Sequence, residues 1–122
     1  MRDTVVAGII LVLLVSLFFW NSYVMETKTR LIMSHVTKLV DNPQTINLET
    51  AGKLKKKWNK EKKILFYLAE HGTVKDIDKC MDMFYERVKE NNREYAIHCL
   101  KEARHHLKDL SEREKIRLDN IF

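Results

Sequence analysis

The sequence predicts an all-α fold, an N-terminal transmembrane helix followed by a small antiparallel helical bundle of stacked hairpins, on three observations. Val5 to Trp20 are sixteen consecutive positions without a charge, interrupted only by the small Gly8 and Ser16. The rest of the chain spaces its Leu, Ile, Val and aromatic residues three and four apart, the period of a helix with one buried face. A single Pro43 and three glycines in 122 residues leave too few turn-formers for a β-rich or loop-rich fold.

With Thr4 and the amphipathic exit Asn21 to Met25, the apolar block is long enough at 1.5 Å per residue to cross a hydrocarbon layer roughly 30 Å thick. A secretory signal peptide would end in small residues at a cleavage site. Here that place holds Phe18, Phe19, Trp20, Asn21, Ser22 and Tyr23, so an uncleaved anchor is expected, with Trp20 and Tyr23 at the headgroup level. Lysine and arginine near the two ends are almost balanced: Arg2 and the amino terminus on one side, Lys28, Arg30 and Lys38 on the other. Charge alone therefore does not orient the segment.

From Glu26 to Asp41 the positions Leu31, Ile32, Val36, Leu39 and Val40 keep helical spacing, and no breaker separates them from the anchor. Asp41-Asn42-Pro43-Gln44 ends this helix, because proline lacks the N–H of the ladder and pushes the preceding residue out of helical geometry. Asn47 is placed to cap a second helix with Glu49 in its first turn, its buried stripe being Ala51, Leu54, Trp58, Leu65 and Leu68 as far as His71. Gly72 is expected to close it. Thr73 with Asp76 reads as the capping box of a third helix buried on Ile77, Cys80 or Met81, Phe84 and Val88, closed by Asn91-Asn92. A fourth helix runs from Arg93 to Leu110 on Ala96, Cys99, Leu100, Ala103 and Leu107. Ser111 with Glu114 starts a short terminal helix carrying Ile116 and Ile121. The expected division is residues 1–25 as transmembrane anchor, 26–46 as helical stalk and loop, and 47–122 as the bundle domain.

Residues 26–122 hold 21 Lys and Arg against 16 Asp and Glu, a highly charged surface around one modest core. The densest feature lies between Lys53 and Lys63, where seven lysines face only Glu61 for a net +6. At about 100° per residue, Lys53, Lys56, Lys57, Lys60 and Lys63 gather opposite the apolar stripe as a basic ridge. Such a ridge suits polyanions or anionic lipid heads, or is a solubilising face. Lysine rather than arginine, with only Tyr67 nearby, argues against specific nucleic-acid recognition.

Five histidines and two cysteines raise metal binding. His98, Glu102 and His105 share one helix face, including one Glu-x-x-His step. Dimetal bundles need that motif on two helices, so a solvated polar face is the expectation and a metal-binding bundle the alternative. Cys80 and Cys99 fall on apolar stripes as buried thiols, and a hairpin turning near Asn92 sets them at different heights, against a disulfide. No phosphate-binding glycine loop, Cys-x-x-Cys pair or nucleophile elbow occurs, so neither a cofactor nor a catalytic residue is expected.

The N-terminal anchor, Trp58 in a lysine-rich helix, Glu70-His71, Ile77-Asp78, the Leu-rich fourth helix and the terminal Asn120-Ile121-Phe122 together resemble an uncharacterised family of short single-anchor helical proteins, a bacterial domain of unknown function. That resemblance spans nearly the whole chain and implies a cell-membrane protein whose domain lies outside the cytoplasm. It brings no reaction. The expectation is a non-catalytic interaction or scaffold protein whose partners are the lipid bilayer and a membrane protein, with Leu31 to Val40 and Ile116 to Phe122 as candidate docking faces.

Overall fold

In the computed structural model, which describes residues 1–69 and 71–121 with side chains placed as far as Arg113, the apolar N-terminal block is the first half of one 40-residue helix, α1, Arg2–Asp41. Nothing breaks it where the apolar block gives way to polar sequence, and at 1.5 Å per residue it is about 60 Å long. Its ending follows the sequence: Asn42 sits at φ −126°, ψ 70°, and Pro43–Thr45 form a single 3-10 turn. Asn47 then caps α2, Leu48–Leu68, through a reciprocal pair: the Thr50 N–H donates to Asn47 Oδ1 and the Asn47 N–H to Thr50 Oγ1, each at 2.9 Å. Helix α3 spans His71–Lys89 and α4 spans Arg93–Ile121.

The turn between α3 and α4 uses Asn91 in the left-handed region at φ 59°, a conformation asparagine tolerates better than most residues. The Asn92 N–H returns to the Arg87 carbonyl at 2.9 Å, and Asn92 Oδ1 accepts from the Tyr95 N–H to start α4.

Each helix packs on two neighbours: α1 on α2 and α4, and α3 on α2 and α4. With short links between successive helices, this is an up-down-up-down four-helix bundle. The core positions repeat with the alternating three-four spacing of knobs-into-holes packing: Ser22, Met25, Thr29, Ile32, Val36 and Leu39 on α1, and Ala51, Leu54, Trp58, Glu61 and Leu65 on α2. Val74, Ile77, Met81 and Phe84 of α3 and Ala96, Leu100, Ala103, Leu107 and Leu110 of α4 complete it.

Three local expectations are corrected. The break after α2 comes at Ala69, extended at φ −109° and ψ 175°, so His71 and Gly72 belong to the first turn of α3 and Thr73 is buried inside that helix rather than capping it. Helix α4 continues through Ser111, where a new cap was expected, because nothing at that position removes a backbone donor. Finally, residues 26–41 are not a free-standing stalk: Ile32 and Val36 are fully buried, which uses the stripe offered above as a docking face and leaves only Leu31 exposed. The side chains of Glu114, Ile116, Asn120 and Ile121, and Glu70 and Phe122 altogether, lie outside the described residues.

Thr29 sits in the α1 core layer with no hydrogen-bond partner for Oγ1 among the described residues. An unmet buried hydroxyl costs about 1–3 kcal/mol. Thr29→Val, which keeps the shape and removes that polar atom, is therefore expected to raise the thermal midpoint by several degrees, read by circular dichroism in detergent; an unchanged or lower midpoint would mean the hydroxyl is satisfied.

Candidate functional site

Helix α2 carries the charge. Its buried heptad positions fix the opposite side to solvent, and there Lys53, Lys56, Lys57, Lys60 and Lys63 are all exposed. They are not equivalent. Lys53 reaches Glu49 at 3.4 Å, an exposed i,i+4 pair worth little. Lys57 Nζ lies 2.7 Å from His35 Nε2 on α1. Lys56, Lys60 and Lys63 have no acidic partner among the described residues. The lysines between them face inward and are used: Lys55 meets Asp82 at 3.5 Å and sits over the Tyr85 ring, and Lys62 meets Asp78 at 3.2 Å.

Position along the bundle separates the ridge further. Antiparallel α2 runs back toward the apolar half of α1, so Lys63, Ile64, Tyr67 and Leu68 line a groove with Trp20, Asn21 and Val24. Lys53 and Lys57 lie higher, where they border a second groove with His35, Lys38, Leu39, Thr50 and Leu54. His35 is held below its usual 6.5 by burial first and by the nearby Lys57 and Lys38 charges second. A neutral His35 accepts from Lys57; a protonated one opposes it.

A group with a depressed folded pKa contributes stability that is present above its unfolded pKa and lost as pH falls through the folded one. Acidification below 6.5 should therefore cost stability through His35, and His35→Gln should flatten that part of the profile, measured as thermal midpoint against pH in both proteins. Parallel wild-type and variant profiles would remove the assignment.

On α4, His98 Nε2 and Glu102 Oε1 are 3.2 Å apart, both more than half exposed. His105 instead turns its ring to His106 at 5.9 Å, and among the described residues no three His, Cys, Asp or Glu side chains form a group that could hold a metal ion. The second carboxylate oxygen of Glu102 accepts a long contact from Cys80 Sγ at 3.9 Å. His71 opens α3 with its ring 5.4 Å from Phe66.

Cys80 and Cys99 are buried and unbridged. Burial, then the Glu102 charge, pushes the Cys80 thiol up to about 11, and the same two causes raise Cys99. Since the thiolate is the reactive form, both thiols should resist maleimide in the folded protein at neutral pH and react on unfolding. A raised thiol pKa stabilises the fold below its unfolded value of 9.0, and that contribution is lost as pH climbs toward 11.

Sequence reasoning alone did not reveal that Lys28 and Glu61 pair. Glu61 is buried in the α2 heptad and its carboxylate meets Lys28 Nζ of α1 at 2.9 Å. The three-four spacing from Leu54 and Trp58 to Leu65 passes through position 61 and is the signal that could have shown it.

The model of a domain of unknown function, DUF4363, matches residues 18–121. The chain belongs to this family. The match opens four residues before the first buried side chain, Ser22, so the DUF4363 unit takes in the packed half of α1 together with α2, α3 and α4. None of the curated proteins and none of the solved structures matches the chain.

Proposed function

We propose that this DUF4363 protein is a single-pass membrane protein whose bundle serves as a non-catalytic interaction platform, supporting a membrane partner on the extracytoplasmic face. One observation carries the reading: the most apolar 18-residue stretch of α1 has none of its residues buried by the rest of the chain, yet the same helix runs on into the bundle core. Left in water, that stretch would expose the fourteen apolar side chains between Val5 and Trp20, a cost lipid removes. A helix shared by anchor and bundle transmits position and orientation without a flexible joint, which suits a support role.

The test is extraction followed by crosslinking. The full chain should resist alkaline carbonate and high salt, and a photo-crosslinker at exposed Leu31 should trap a membrane protein. Protease added to intact, wall-stripped cells should cut the 42–47 connection. Release into the aqueous fraction would overturn the anchor, and protection from protease the orientation. An absence of adducts would overturn the platform.

A further inference from the structure

Resting on that anchor, we propose that the lower end of α2, through Lys60, Lys63, Ile64 and Tyr67, is a second membrane contact that binds anionic phospholipid headgroups. In α1 no residue before Ser22 is buried, and from Ser22 onward every third or fourth one is: Ser22, Met25, Thr29, Ile32 and Val36. That change marks the height at which the helix leaves the hydrocarbon. Helix α2 descends to the same height, since its last turn lines a groove of about 350 Å³ with Trp20, Asn21 and Val24.

What α2 presents there is unlike the rest of its solvent face. Tyr67 is 91% exposed and Ile64, beside it on the groove, keeps 40% of its surface exposed. With Trp20 across the groove they form an aromatic and aliphatic cluster, and Tyr23, 67% exposed, follows three residues further along α1. Tyrosine and tryptophan favour this position, apolar ring toward the acyl chains and polar atom toward water. One turn above Tyr67 stands Lys63, and nearly one more turn above that Lys60, neither with an acidic partner among the described residues. Lysine stems of this kind lie along apolar surface while the ammonium meets phosphate.

The same geometry limits the contact. Lys56 stands seven residues above Lys63, about 10 Å along the axis, which exceeds the screening length of about 8 Å at physiological salt. The lower ridge is then lipid-directed and the upper ridge is not. Two contacts, α1 through the bilayer and α2 upon it, fix the rotation of the bundle about its anchor.

The experiment uses the full chain in nanodiscs of phosphatidylcholine, with and without phosphatidylglycerol, carrying an environment-sensitive fluorophore on Tyr67→Cys; the native thiols are buried and stay unlabelled. The expected result is blue-shifted emission and quenching by headgroup-level nitroxide lipid in the anionic discs. Quenching should fall several-fold in neutral discs and with Lys60→Glu/Lys63→Glu, while Lys56→Glu has little effect and a label on Tyr95→Cys stays aqueous. An aqueous signal from Tyr67→Cys in discs that still resist carbonate would overturn the second contact and leave the anchor standing. Quenching equal in both lipids, or indifferent to the lysine reversals, would overturn the anionic specificity. Release by carbonate would overturn both readings, and unchanged helicity in every variant separates these results from misfolding.

Discussion

Trp58→Ala is expected to leave the bundle close to unfolded at 37 °C. Trp58 is fully buried on α2, and its indole Nε1 donates to Asp78 Oδ1 of α3 at 2.8 Å, an oxygen also held by Lys62 at 3.2 Å. Truncating a buried tryptophan to alanine costs about 3–5 kcal/mol, against roughly 5–15 kcal/mol for the whole stability of a domain this size. Trp58→Phe separates the two contributions. It keeps most of the ring and loses the Asp78 hydrogen bond, for about 1–3 kcal/mol. Near-UV circular dichroism through a denaturant titration, in detergent, reads both. Should Trp58→Ala unfold within 1 kcal/mol of wild type, with about that as the limit for tolerated core changes, Trp58 is not the centre of the core.

Lys28→Met is the second large effect. Glu61 keeps only 7% of its side chain exposed, and Lys28 Nζ at 2.9 Å is the charge that meets it. Removing one partner of a buried pair leaves a stranded charge and costs about 3–5 kcal/mol. Lys28 is 32% exposed, so water reaches the vacated site and the lower end of that range applies. The double variant Lys28→Met/Glu61→Leu should recover most of the loss, because replacing a whole ion pair with apolar groups is often neutral or better. The pair ties the first bundle turns of α1 to α2. A single variant as stable as wild type would mean that packing alone joins them.

Much of the fold could be read from spacing and punctuation. Pro43 and the Asn47 cap placed the first two boundaries, and Asn91-Asn92 the third, because each acts through its own neighbours. The boundaries that failed depend on other helices. Gly72 looks like a terminator until the extended Ala69 ends α2 three residues earlier, and Ser111 offers a cap that α4 does not take. Residues 26–41 read as a stalk because their stripe could face any apolar surface; that the surface is α2 and α4 is a tertiary fact. The basic ridge was legible as a face, but its division was not. Lys57 is drawn to His35 across twenty-two positions, and Lys63 comes to the level of Trp20 only because α2 runs antiparallel to α1. Glu61 hid inside a lysine run, where its charge suggested surface and its heptad position meant core.

In the function proposed above, one uninterrupted helix is both membrane anchor and first member of the bundle. Amide hydrogen exchange of the full chain in nanodiscs, resolved across residues 18–40, tests it most directly. Slow exchange is expected throughout, with protection carried from the bilayer segment through Tyr23 to Arg30 into the Ile32 to Leu39 layer. Fast exchange confined to residues 21–30, flanked by two protected stretches, would reveal a hinge and contradict it.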